Sequence, residues 1–250
     1  MARYFTAAEA GERYAAFRPK VHHVALQWLE EAVPERRFSR ALDIACGTGD
    51  STVPLAEIAE EVLGIDSSEE MLRFARRRGL HVRRADYTEA AALGTFDLIS
   101  TCMAFHWFDA EAAISSYKAA SAPGAVWLIY NFAFGGHSTS DEFNRWFQDF
   151  YLENYPSPPR GKSSRVSPGT DHEVELLAEG SGWLPVELSR EGLFGYLSTQ
   201  SNLEDRIRQG EALEDLREVI MGHLDAFDLS GTFRYTYTYE ILRCACGSRS

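Results

Sequence analysis

Between residues 41 and 132, short apolar runs alternate with amphipathic helical patterns, and few folds accept that rhythm. Residues 41–45 read as a strand, 51–60 as a helix, 62–66 as a strand, and 68–78 as a helix capped by Ser67 with Glu70 and ended by Gly79. Residues 80–84 and 96–101 read as further strands. A helix over 110–121 follows Asp109, and a strand over 125–132 follows the Pro123-Gly124 turn. Strands joined by helices of this length imply right-handed crossovers, a parallel sheet and helices on both of its faces.

The flanks break the rhythm. Thr6 and Glu9 form a capping-box pattern ahead of Tyr14 and Phe17, and Val21, Val24, Ala25, Trp28, Leu29 and Ala32 make a helical stripe closed by Pro34. After Phe132 an aromatic helix (Phe143, Trp146, Phe147, Phe150, Tyr151) leads into a loop rich in Pro, Ser and Gly over 155–169. Two helical stretches parted by Gly210 come next, and residues 232–243 alternate strictly, as an antiparallel strand at a sheet's edge does. The expected fold is a doubly wound α/β domain with a seven-stranded, mostly parallel sheet, an antiparallel edge strand and a helical lid insertion. A single domain over 1–250 divides into an N-terminal cover (1–35), a core (36–132), a lid-like insertion (133–182) and a C-terminal part (183–250).

Charge removes some functions. Lys and Arg total 25 against 37 Asp and Glu, and the net charge of -12 repels a phosphate backbone, so nucleic acid is not an expected partner. The four cysteines lack zinc-site spacing and are too few for a disulfide scaffold, so they read as reduced thiols, with Cys244 and Cys246 as strand-end residues. No metal is expected. The N-terminus lacks the apolar core of a signal peptide and no run approaches the ~20 apolar residues of a membrane span, which makes a cytoplasmic protein without a membrane partner the expectation.

The chemistry concentrates in ALDIACGTGDST, where a strand ending at Asp43 passes through a turn containing Gly47 and Gly49 into a helix. Glycine permits the backbone angles and close approach that a nucleotide-like ligand needs there. A second strand ends at Asp66, 23 positions on, where a carboxylate can accept from both ribose hydroxyls, and a third ends at Asp86. No third glycine follows Gly49 at the dinucleotide spacing, since Thr52 stands there, which disfavours a nicotinamide cofactor.

On these residues the chain resembles the class I S-adenosylmethionine (SAM)-dependent methyltransferases. LDIACGTG looks like their SAM motif, GIDSSEEML their ribose motif and RRADYTE their adenine segment, while FDLISTCMAFHWFD and YAAFRP are similar to the small-molecule group that includes trans-aconitate methyltransferases. The resemblance implies Asp43, Ala45 and the Gly47–Gly49 turn near the methionine moiety, Asp66 and Ser67 at the ribose, and Met71 against the adenine. It implies Asp86 on the adenine amino group with Tyr87 beside it, and Met103 at the cofactor. Ala45 departs from the family's usual glycine.

Each assignment has a plainer competitor. Asp66 can stabilise a helix N-terminus, and Asp86 can be a turn residue. His106 sits after a strand end, where it can touch substrate or act as base, or be structural. Trp107 reads as a pocket wall, with Tyr14 and Phe132 as further substrate contacts. Arg18 can fork onto a carboxylate of cofactor or substrate, or form a surface ion pair. Arg160, Lys162 and Arg165 read as solvation, the aromatic stripe as core, and His22 and His23 as structural or exposed. The expected function is methyl transfer from SAM to a small-molecule acid, hydroxyl or activated carbon, by a monomer or homodimer. The rivals are a SAM-binding partner that does not methylate, and an enzyme using the same pocket for other natural-product chemistry.

Overall fold

A computed structural model describes residues 8–158 and 173–245. In chain order, α1 is Ala8–Phe17, α2 Val24–Ala32, β1 Phe38–Ile44, α3 Thr52–Leu55, β2 Ala59–Asp66, α4 Glu69–Arg77, β3 Val82–Arg84, β4 Phe96–Cys102, α5 Ala110–Ala120 and β5 Ser121–His137. There follow α6 Asp141–Trp146, a π-helical turn Phe147–Tyr151, α7 Leu152–Asn154, β6 Val174–Val186, α8 Arg190–Leu197, α9 Ser201–Arg208, α10 Leu213–Leu224 and β7 Phe233–Cys244. The seven strands form one sheet in the order β3-β2-β1-β4-β5-β7-β6. The described residues form two compact units, 20–131 with 173–181 and 238–245, and 8–19 with 132–158 and 182–237.

In the unit built around Lys20–Asn131, β1 pairs in parallel with β2 and β4, and β4 pairs in parallel with β5. Alternation along parallel strands sorts their side chains to two faces. Ile44, Ile99, Trp127 and Ile129 pack in a buried cluster with Tyr117 of α5, and Thr101 Oγ1 lies 2.6 Å from the Tyr117 hydroxyl. Asp43 and Ser100 are register partners, as are Cys102 and Tyr130, and these point to the other face. There Trp28 of α2 meets Tyr130 edge-on, with ring centroids 5.9 Å apart. Helices therefore cover both faces. The strand order turns back between β1 and β4, the place where an open parallel sheet leaves a crevice at its carboxyl edge.

Several expected boundaries shift for local reasons. The helix expected over 51–60 ends at Leu55, because Phe38 N–H donates to Ile58 O and the parallel ladder begins at the Phe38–Ala59 pair. The cap of α4 is Ser68 rather than Ser67, its Oγ accepting from Met71 N. Three helices rather than two occupy 190–224. The alternating strand β7 lies inside the sheet, and the outermost position belongs to β6, which the sequence hides. Pairing here is antiparallel: Ser138 N–H donates to Thr232 O and Thr236 Oγ1 to Ala133 O on the β5 side, while Ala245 N–H donates to Glu173 O on the β6 side. Two glycines interrupt the strand signal of β6, and tyrosines of β7 fill their space, since a Cβ at Gly180 would fall 2.6 Å from the Tyr239 ring and one at Gly182 would fall 2.6 Å from the Tyr237 hydroxyl. Cys244, expected as a reduced thiol, is disulfide-bonded.

The other unit is an aromatic core. Phe143, Phe147 and Tyr151 share a face and are buried. Phe134 touches Phe143, Phe147, Tyr196 and Phe233 at centroid distances of 6.2, 4.9, 5.7 and 5.6 Å. Gly195 admits the Phe17 ring of α1 against α8, where a Cβ would lie 2.3 Å from it. Thr6, Arg160, Lys162, Arg165 and Cys246 lie outside the described residues. No helix among the described residues is long and apolar enough to cross a membrane.

Candidate functional site

Beyond β1 the chain bends sharply, with positive φ at Ala45 (58°), Gly47 (54°) and Gly49 (87°), before entering α3. Gly49 is required twice over, since a side chain there would also meet Leu80 Cδ1 at 2.2 Å. Ala45 adopts the left-handed region at a cost of about 1 kcal/mol. Ala45→Gly is therefore expected to stabilise the protein by up to about 0.5 kcal/mol once glycine's greater unfolded-state entropy is deducted, as denaturant unfolding would read. A destabilised variant would show that the methyl group packs usefully.

Asp43, at the end of β1, is wholly buried. Its Oδ2 accepts from Ser51 Oγ and from Thr52 Oγ1, both at 2.7 Å. Its Oδ1 has no partner in hydrogen-bonding geometry among the described residues. Burial raises the carboxyl from its usual 3.8 to about 6, and the Thr52, Ser51 and Ser100 hydroxyls pull it back only in part. A buried acceptor left open in this way suits a cationic or hydroxyl donor from a ligand.

Asp66, at the end of the adjacent β2, grips the same bend. Its Oδ2 accepts from Gly47 N at 2.9 Å and its Oδ1 from Ser68 N at 2.7 Å. Burial pushes its pKa up against these amides. Each oxygen keeps a second lone pair, so a vicinal diol can donate to a carboxylate whose orientation is already fixed. The terminal methyl of Met71 lies over the bend, 3.4 Å from where a Gly47 Cβ would be. Exposed Ser67 leaves the cap to its neighbour and offers its carbonyl to Arg84 Nε at 3.3 Å.

Asp86 follows β3 and caps the 3-10 turn Tyr87–Leu93, its Oδ1 accepting from Thr88 N at 3.1 Å while Glu89 returns a bond to Asp86 N at 2.7 Å. The plain turn reading thus describes its contacts. Tyr87 stacks on Phe108 at 4.1 Å, and its hydroxyl accepts from Asp109 N at 3.3 Å, which ties this turn to the loop after β4. In that loop Met103 has φ of 54° and donates its N–H to Tyr130 O at 2.8 Å. Then comes a 3-10 turn carrying His106, whose ring lies 4.8 Å from that of Trp107. Strained non-glycine residues at the ends of β1 and β4 flank the point where the strand order reverses, and such strain concentrates at functional sites.

Some supports escaped the sequence. Ser51 and Thr52 are the residues that orient Asp43. Asp50, nearly buried, accepts from Lys20 Nζ and Arg78 Nη1, both at 2.7 Å, and its pKa is lowered by them despite burial. His22 Nδ1 lies 3.1 Å from the Tyr130 hydroxyl and 3.7 Å from Cys102 Sγ. Burial pushes the Cys46 thiol up, which removes it as a nucleophile.

Three expected site residues belong to the other unit. Arg18 is 7% exposed, not a surface residue, and donates from Nη2 to Thr199 O at 2.7 Å, with its guanidinium 4.6 Å from the Tyr14 ring. Phe132 is stacked on Tyr235 at 5.1 Å.

Residues 41–124 match the family model described as a methyltransferase domain. A Bacillus subtilis protein named as a methyltransferase, YqeM, is 52% identical over 52 residues, which are 21% of this chain and 20% of that protein. The trans-aconitate 2-methyltransferase of Deinococcus radiodurans is 37% identical over 82 residues, 32% of each chain, so these two matches span a fifth and a third of the relatives. A solved structure from Anaeromyxobacter dehalogenans, named as a type II methyltransferase, superposes with a TM-score of 0.62 over 91% of this chain and 97% of that one, at 23% identity, and shares the fold. Residues 41–124, which hold the glycine bend and the paired strand-end carboxylates, thus match a methyltransferase domain, and the chain is similar to methyltransferases over that segment.

Proposed function

We propose that this chain transfers a methyl group from SAM to a small-molecule acceptor. The observation that carries the reading is Asp66, fixed at the carboxyl end of β2 by bonds from Gly47 N and Ser68 N to its two oxygens. In this reading Asp66 receives the ribose hydroxyls, with Ser67 beside it. Met71 and Tyr87 flank the adenine, and Asp86 accepts from its amino group. The open Oδ1 of Asp43 serves the methionine ammonium, with Ala45, Gly47, Gly49 and Met103 shaping the backbone around that moiety. Bound SAM would supply an electrophilic methyl carbon, with a neutral thioether as its leaving group. The chain's own contribution is placement. A carboxylate acceptor needs no base. For a hydroxyl or an activated carbon, His106 takes the proton and Trp107 walls the acceptor.

The net charge of -12 supports a small molecule over nucleic acid as acceptor. We place the enzyme in the cytoplasm, as a monomer or homodimer. Incubation of the full chain with methyl-labelled SAM and a panel of acids, phenols and activated carbons is expected to move label to one acceptor class. Binding of SAM with no transfer to any of them would favour a non-methylating role.

A further inference from the structure

Asp50 closes the glycine bend, and the methyl-transfer chemistry above gives it no part. Its side chain is 5% exposed, and cations of the chain itself engage both of its oxygens. Oδ1 accepts from Arg78 Nη1 at 2.7 Å, and Oδ2 accepts from Lys20 Nζ at 2.7 Å and from Thr48 Oγ1 at 3.3 Å. Burial opposes the charge, but the bonds from Lys20 and Arg78 outweigh it and hold the carboxyl below its usual value. The same Arg78 nitrogen donates to Thr48 O at 2.9 Å. Thr48 and Asp50 thus share one guanidinium, and Arg78 is the C-cap residue of α4.

Packing joins this end of α4 to the bend as well. A Cβ at Gly49 would fall 2.2 Å from Leu80 Cδ1 and 3.4 Å from Ala75 Cβ, which leaves no room for a side chain between bend and helix. The bend needs such support, because a non-glycine residue with positive φ, here Ala45, persists only where its surroundings over-determine it. Asp66 holds the first half of the bend through Gly47 N. Asp50 and Arg78 hold the second half through Thr48. Removing one member of a buried, hydrogen-bonded charge pair leaves the other uncompensated, so the two act as a unit. Helix α4 carries Met71 in its first turn and Arg78 after its last, so a single rigid element touches the bend at both Gly47 and Thr48.

We propose that Asp50 and Arg78 are positioning residues for SAM, whose ion pair fixes the bend in the shape that receives the methionine end without touching the ligand. The proposal rests on the methyl-transfer reading for the ligand's identity and adds which part of the ligand feels the pair. Lys20, with a side chain 51% exposed against 36% for Arg78, is the more screened of the two cations, so the bond from Arg78 carries the effect.

The test is calorimetry on the full chain with S-adenosylhomocysteine and with methylthioadenosine, which keeps the nucleoside and the thioether sulfur but lacks the amino-acid group. The variants are Arg78→Gln, Asp50→Asn and the two combined, each with its unfolding temperature measured. Each single variant is expected to weaken S-adenosylhomocysteine about 10-fold and to leave methylthioadenosine within about 2-fold of the parent. The combined variant is expected to lose no more than either alone, because each change already removes the whole pair. A contribution to folding alone lowers the unfolding temperature and leaves the ratio of the two affinities at the parent's value. An unchanged ratio, or losses that multiply to about 100-fold in the combined variant, would overturn the proposal, while binding of S-adenosylhomocysteine by the parent leaves the methyl-transfer reading standing. If Asp50→Asn does not fold, Arg78→Gln, altered at the more exposed member of the pair, gives the ratio by itself. A parent that binds neither nucleoside overturns the methyl-transfer reading and this proposal with it.

Discussion

Above pH 7, the cofactor-free Asp43→Asn variant is expected to be more stable than the parent by about 3 kcal/mol. The buried Asp43 carboxyl titrates at about 6 in the fold against a usual 3.8. The folded state thus holds this proton more tightly than the unfolded chain does, and the associated stability is fully present below pH 3.8 and lost as pH rises through 6. Asparagine never pays that ionisation cost. Its advantage should be absent near pH 3.5, grow between pH 4 and 6 and stay constant above, as urea unfolding at a series of pH values would show. The same variant should bind S-adenosylhomocysteine at least 10-fold more weakly, because the buried acceptor for the ammonium loses its charge. A gain in stability without loss of binding would make Asp43 a structural residue only.

Asp66→Ala is expected to weaken S-adenosylhomocysteine binding by about 2 kcal/mol or more, roughly 30-fold, since hydrogen bonds to a charged carboxylate are worth about 1.5 to 3 kcal/mol each. The variant also releases Gly47 N and Ser68 N from their shared partner. Asp66→Asn keeps the size of the side chain and one carbonyl acceptor, so one of the two backbone amides and one ribose hydroxyl lose their acceptor, and an affinity between those of the parent and Asp66→Ala is the predicted reading. Unchanged affinity in both variants would reduce Asp66 to a helix-terminal carboxylate.

The strand-end positions of Asp43 and Asp66 were legible because carboxylates beside a glycine bend combine a periodicity change with a charge, and both signals survive in a single sequence. Asp86 was legible as a position but not as a role. Its observed bonds to Thr88 and Glu89 are local, so nothing in the spacing separated a cap from a ligand contact. The edge strand β6 was hidden because Gly180, Gly182 and Pro185 dilute its pattern, and the compensating rings of Tyr237 and Tyr239 lie more than fifty positions further along. Sequence patterns report a residue's own element and not the partners that distant segments bring to it.

Calorimetric titration of the unmodified chain with S-adenosylhomocysteine and, separately, with NADH puts the carboxyl-edge site itself to the test. One saturable site for the sulfur nucleoside and no heat from NADH is the predicted result. Saturable binding of NADH with none of S-adenosylhomocysteine would contradict it.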